Sequence, residues 1–311
     1  MKFTIVTPCH NRATYLDATI ESVVAQKGDF SLQYIIQNAG TDPEVRQCLD
    51  RWSSDLNSGR VKARCHELKF EVYHEKDTGM YDGLNRGFAK ATGEILAWIN
   101  SDDLYHPGAF QCVADVLRFH DSIYWLTGIP NSFNRYGCRT GFDSFPKAYS
   151  REFIRRGLYR VENTDCGLNW IAQDCCFWRS SLWQLTEGRL DSSLRWAADF
   201  KLWRTFAEHC DLVKVNSFLG GYRFHGDQVT GDPTRYLCEL PLLTESALPL
   251  GWRSLHKWLS AHPDDARLFY NPEQGRPWLE GFGLEWEWLV GRVVRYDFGT
   301  ERWDIQLSPI L

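Results

Sequence analysis

The chain has 311 residues, 24% of them charged, and a formal net charge of -5; a core of this size needs no disulfide or metal staple, and Lys and Arg spread along an acidic chain leave no footprint for a phosphate backbone, so no nucleic-acid partner is expected. Ten cysteines are scattered without a C-x-x-C pair, which disfavours structural zinc. The N-terminal apolar run meets Pro8 too soon for a signal peptide and no stretch nears the ~20 apolar residues of a membrane span, so a reducing cytoplasm is expected, with peripheral membrane contact left open.

In chain order, residues 3–8 predict a strand, and Tyr15, Ile20, Val23 and Val24 then share one helical face. Residues 32–37 predict a second strand and 43–56 a helix; 69–74 predict a third strand, and 80–91 a helix that stops at Gly93. Residues 94–99 form the fourth predicted strand, Pro107 suits the first turn of the next helix, and 122–129 form the fifth. This alternation argues for a mostly parallel, doubly wound α/β sheet, in which ligands sit beyond the carboxyl ends of the strands. Thr7, Asn38, Asp77 and residues 100–103 would then share one rim. From about 132 to 228 the pattern loosens, with helices at 180–185 and 198–209 and a strand-like 220–225; from 230 to 311 it looks helical and rich in tryptophan. The expected division is a first domain over 1–229, with halves meeting at 130, and a helical subdomain over 230–311.

The run EILAWINSDDLYHP (94–107) ends an apolar strand with Asn100, Ser101, Asp102 and Asp103. Adjacent carboxylates repel, and a shared Mg2+ or Mn2+, which takes oxygen from one or two carboxylates plus substrate phosphates, would relieve the repulsion. The plainer reading is an Asx turn or a helix cap before Pro107, and on this fragment alone it stands ahead.

VTPCHNRATYLDATIESVVAQ, LQYIIQNAGTD, HEKDTGMYDGLNRGFAKATGEILAWINSDD, AADFKLW and YRFHGDQVT occur in an order and spacing that resembles the inverting family 2 glycosyltransferases, over about the first 230 residues. The most specific part is the D-x-G-x-Y-D-x-x-N-x-G run from Asp77 to Gly87, leading into a D-x-D-type motif. The resemblance implies a GT-A fold, a nucleotide-sugar donor with UDP-sugars favoured, a divalent metal (Mn2+ or Mg2+) and inversion at the anomeric carbon. The implied acceptor is a glycan or lipid-linked glycan of surface polysaccharide assembly.

Carried over residue by residue, the resemblance implies that Thr7 and Pro8 line the nucleotide pocket. Asn38 stands where the family has Asp, and a carboxamide both donates and accepts, which alters base preference. Asp77, Gly79, Asp82 and Asn85 match donor-contacting positions; Asp82 and Asn85, three apart, share a helical face, while Asp77 and Thr78 also suit a helix cap. Gly79 would admit ligand to the backbone, and Gly87 would bring helix to sheet. Asp103 is the implied metal ligand, with His225 near metal or diphosphate, Gln228 ordering the same loop and Asp102 reaching ribose or sugar hydroxyls.

Inverting transfer needs a base for the acceptor hydroxyl. The resemblance points to Asp199, whose plainer role is a first-turn Asp favoured by the helix dipole; Asp174 is a rival base. Gln173 and Trp178 match an acceptor-lining segment, although Trp178 also suits the core. Arg151, Arg155, Arg156 and Arg160 suit an anionic lipid surface or, more plainly, a solvated helix face. The Trp-rich tail could cover the acceptor, form a homodimer contact or complete the fold. A sugar nucleotidyltransferase and a non-catalytic nucleotide-sugar binding module are the competing readings; the first lacks its Gly-rich loop here, and the second predicts loss of carboxylates that are present.

Overall fold

The computed structural model describes residues 1–142, 147–226, 233–240, 248–249, 251–261, 279, 281–282 and 284–310. Strands and helices alternate as the periodicity predicts: β1 (Lys2–Cys9), α1 (Leu16–Val24), β2 (Ser31–Asn38), α2 (Pro43–Asn57), β3 (Glu67–His74), α3 (Met80–Phe88) and β4 (Ile95–Trp98). Then come β5 (Leu104–Tyr105), α4 (Ala109–Phe119), β6 (Trp125–Thr127), β7 (Asn131–Phe133), β8 (Arg139–Phe142), α5 (Arg151–Arg155), β9 (Cys176–Arg179), α6 (Ser180–Leu185) and α7 (Ala198–Ala207). The chain continues through β10 (Leu212–Val215), β11 (Gly220–Arg223), α8 (Pro233–Glu239), α9 (Trp252–Ala261), β12 (Val290–Asp297) and β13 (Arg302–Pro309).

Nine strands form one sheet in the order β13-β12-β10-β6-β9-β4-β1-β2-β3. All run parallel except β9 and β13. A second sheet, β5-β11-β7-β8, lies beyond the rim. β1 and β2 are buried along nearly their whole length, as strands covered on both faces must be.

Local chemistry sets the joints. Asp42 caps α2 by accepting from Glu44 N at 2.8 Å, with Pro43 in the first turn. α3 packs tightly on β1 because Gly87 lacks a side chain: a Cβ there would stand 2.4 Å from Val6 Cγ1. Pro107, expected inside the first turn of α4, lies just before it; left-handed Gly108 (φ 82°) takes the cap, and the helix starts at Ala109.

Tryptophans fill the centre. Trp98, Trp125, Trp178 and Trp203 are buried, with Trp203 stacked on Trp98 at 5.7 Å and on Trp125 at 5.2 Å. The expectation of a helical tail holds for α9, whose buried Trp252 donates to Cys166 O at 3.1 Å, and fails for 290–309, a β-hairpin added to the main sheet beside β10. Adjacent Val293 and Val294 are both buried, which breaks the alternation that marks a half-exposed strand in sequence. Trp278 and Gln228 lie outside the described residues. No helix among the described residues is long and apolar enough to cross a membrane.

Candidate active site

The parallel strands β1, β2, β3 and β4 end at one rim, and the reversed β9 begins there, so strand exits and one strand entry face the same space. At the end of β1, Thr7 and Pro8 are buried, and the Thr7 hydroxyl pairs with Tyr34 OH at 3.0 Å. Asn38 is 1% exposed. Its Oδ1 accepts from Gly40 N at 2.9 Å and its Nδ2 faces His74 Nδ1 at 3.0 Å, so the exposed edge of this joint belongs to His74. Asn11, in a left-handed turn (φ 51°), ties the loops after β1 and β2 together by accepting from Thr41 N at 2.8 Å and Asp42 N at 3.0 Å. Gly40 permits that approach, since a Cβ would meet Asn11 Oδ1 at 2.4 Å.

The loop into α3 carries Asp77, which accepts from Gly79 N at 3.1 Å and whose pKa burial pushes up. Gly79 has φ 149° with open space around it, so glycine is required there by the backbone. Asp82 accepts from Thr78 N at 3.0 Å and Arg86 Nε at 3.1 Å. Asn85 does not face this loop. Its carboxamide is spent on Leu190, donating to the carbonyl at 2.9 Å and accepting from the amide at 2.8 Å, which moors the segment before α7.

The two adjacent carboxylates have opposite surroundings. Asp103 is 1% exposed; Oδ1 accepts from Arg223 N at 2.9 Å and Oδ2 from Asn100 Nδ2 at 3.1 Å. Burial first, then the charges of Asp102 and Asp174, push its pKa well up. The Asp103 carboxylate, expected as the metal ligand, is enclosed and hydrogen-bonded by the fold. Asp102 points outward, with 25% of its side chain exposed, and its Oδ2 lies 3.0 Å from His225 Nε2. The pair sits in a turn closed by Asp103 N donating to Asn100 O at 3.2 Å, and nothing in the sequence Asp-Asp tells which side chain faces in.

His225 rests on the ring of Tyr15 at 4.7 Å, and the Arg223 guanidinium lies over the same ring at 4.7 Å. Arg223 Nε also donates to Asp102 O at 2.6 Å. Tyr15 was read from sequence only as part of a helical face and Arg223 was not singled out; a Tyr before a helix and an Arg two residues ahead of a motif histidine carry no distinctive signal. Asn100 Oδ1 and Arg223 Nη2 are buried without a hydrogen-bond partner among the described residues.

Asp199 lies half-buried in the first turn of α7, across from α3. Its Oδ1 accepts from Phe200 N at 2.8 Å and stands 3.4 Å from Tyr81 OH, which donates to Trp196 O at 2.9 Å. Burial pushes its pKa up to about 6. Asp174 is pushed to a similar value by burial, but it is 5% exposed, with Cys175 Sγ donating to it, and is enclosed beneath the rim.

On the third side, Gln173 donates to Trp98 O at 2.6 Å at the end of β4 and stays half-exposed. Trp178 is fully buried among Trp98, Phe88 and Trp203, so its side chain is placed in the core and not at the rim. Trp170, 48% exposed and three residues before Gln173, is the tryptophan that this segment offers to solvent. The four arginines are used within the chain. Arg151 donates to Ala207 O and Glu208 O, Arg155 and Arg156 pair with Glu152, and Arg160 pairs with Glu162.

The open, mostly parallel α/β sheet is of the GT-A glycosyltransferase type. The chain belongs to glycosyl transferase family 2, whose family model matches residues 4–186. An uncharacterized glycosyltransferase of Rickettsia typhi is 22% identical over 266 residues, 82% of this chain and 77% of that protein. A PGL/p-HBAD biosynthesis glycosyltransferase of Mycobacterium bovis is 27% identical over 168 residues, 50% of this chain and 60% of that protein. The crystal structure of S. aureus TarS 1-349 in complex with UDP-GlcNAc is similar in fold, with a TM-score of 0.54 at 15% identity over 73% of this chain and 60% of that one.

Proposed function

We propose that this glycosyltransferase is inverting and uses a divalent cation, moving a sugar from a nucleoside diphosphate donor, UDP-sugars foremost, to a hydroxyl of a glycan or lipid-linked glycan in surface polysaccharide assembly. The observation that carries this reading is the pairing of a partly exposed Asp102, backed by the enclosed His225 side chain, with a half-buried Asp199 of pKa about 6. In it, Asp199 takes the proton of the acceptor hydroxyl. That oxygen bonds to the anomeric carbon as the bond from this carbon to the diphosphate oxygen breaks, and the electron pair leaves with the nucleoside diphosphate; one displacement inverts the centre.

Asp102 and His225 would hold the cation, since Mg2+ and Mn2+ are held by one or two protein ligands with substrate phosphates completing the shell. When bound, it would screen the charge gathering on the diphosphate. The buried, unpartnered Asn100 Oδ1 and Arg223 Nη2 supply an acceptor and a donor beside the couple, which suits a polar, anionic ligand. Gln173 and Trp170 take the acceptor side, with Trp170 in the acceptor-lining role expected of Trp178.

The test is a thermal-shift panel of UDP, GDP, dTDP and CMP, each with Mn2+, Mg2+ or EDTA, because a ligand that binds the folded state raises its melting temperature. A metal-dependent shift with UDP is expected, and UDP-GlcNAc is the first donor to follow it. Absence of a metal-dependent shift with every nucleotide would overturn the reading.

A further inference from the structure

The turn that bears Asp199 is held from outside its own helix. α7 has no side-chain cap, since Ala197 stands at the cap position. A helix start leaves N–H groups without intrahelical partners and gathers partial positive charge. The carboxylate of Glu239, at the end of α8, lies against this start: Oε1 accepts from Arg195 N at 2.7 Å, and Oε2 accepts from Trp196 N at 2.9 Å and Ala197 N at 2.8 Å. A small apolar cluster, separate from the main core, seats α8 here. It joins Ala197, Phe200 and Leu240 with Tyr236 and Leu237. The rings of Phe200 and Tyr236 meet edge to face at 6.4 Å. α8 begins at Pro233, shortly after His225 in the chain, and its end packs on the Asp199 side of the site.

We propose that Glu239 is the positioning residue of the candidate base: its carboxylate clamps the backbone of residues 195–197 and offsets the positive helix start on which Asp199 stands. This inference rests on reading Asp199 as the base. A first-turn Asp is ordinarily stabilised as an anion, which makes it a poor proton acceptor. Here burial raises its pKa and the Glu239 charge adds in the same direction. The other titratable groups around Asp199 are Tyr81 on α3, Tyr236 on α8 and Cys176 on β9, all pushed up by burial and so neutral near pH 7. The Glu239 carboxylate is a charged group that acts on Asp199, while Arg195 and Arg235 lie over the nearby Trp196 ring and Glu162 acts on Tyr236.

The test compares full-length wild type, Glu239→Gln and Glu239→Asp by hydrogen exchange of the 195–197 amides and by NMR titration of the Asp199 carboxyl carbon, assigned with Asp199→Asn. Glu239→Gln should speed exchange about tenfold and lower the pH at which Asp199 titrates. Glu239→Asp keeps the charge on a shorter arm, so it should speed exchange and leave the titration near that of wild type; it also serves if Glu239→Gln does not fold. Unchanged exchange in both variants overturns the clamp, and an unchanged titration in Glu239→Gln overturns the electrostatic role. Neither readout needs a donor. A wild type that releases no UDP from UDP-GlcNAc, UDP-glucose or UDP-galactose counts against the UDP-sugar reading, while exchange and titration still decide the role of Glu239.

Discussion

Asp102 and Asp103 differ by one position and by almost everything a carboxylate can experience. Replacing Asp103 by Ala strands the Arg223 amide and the Asn100 carboxamide in a buried site, so chemical denaturation should show a loss of roughly 2–4 kcal/mol. Asp102→Asn should melt in EDTA within about 1 °C of wild type and lose the metal-dependent shift with UDP. Asp199 gives a pH prediction with a definite sign. A carboxyl raised from its ordinary 3.8 to about 6 holds its proton more tightly when folded, so stability falls as pH rises through that window, and the deficit persists at neutral pH. Asp199→Asn should therefore abolish transfer yet be more stable than wild type at pH 7.5, by on the order of 1–3 kcal/mol, with no such gain at pH 4. Wild-type turnover should fall about tenfold per pH unit below about 6. The D-x-G-x-Y-D-x-x-N-x-G run lies at the rim where β1, β2, β3 and β4 end. The sequence could not tell which residues aim at a ligand, because Asn38, Asn85 and Asp103 have the same donors and acceptors whether they spend them on a substrate or on Gly40, Leu190 and Arg223.

At the level of elements, the early strands and helices were legible because their apolar residues follow clean periods. Gly87 was also legible: a glycine in a helix before a strand signals close packing, and it meets Val6. Gly87→Ala should force α3 off β1 and cost about 1–3 kcal/mol, readable as a lower melting temperature with helix content preserved. α8 and its grip on α7 were not legible, since a Glu forty-odd residues downstream of the backbone that it holds leaves no local trace. The terminal hairpin was missed for a related reason. Its burial depends on β10 beside it, so the sequence of β12 shows neither a helical stripe nor a strict alternation.

For the molecule as a whole, the reversal of β9 brings Gln173 to the same rim where β1 and β4 deliver Thr7 and Asn100, so one sheet edge serves both substrates in the proposed reaction. The hairpin completes the opposite end of the sheet: Val293 and Val294 are buried there, and Val213 pairs with Arg292. Removing residues from 290 onward should leave the protein largely in the insoluble fraction, by baring β10.

That pairing also sets a clock during synthesis. β10 is buried along its whole length in the finished protein, yet its partner follows only after the chain has advanced from Val213 to Arg292. At ribosomal speeds this interval lasts roughly 4–16 seconds, during which a sticky strand edge waits without a neighbour. A ribosome that stalls inside that interval releases a nearly complete sheet with an open seam, so slow codons or truncation there should yield aggregates, whereas a pause soon after β13 has emerged should not.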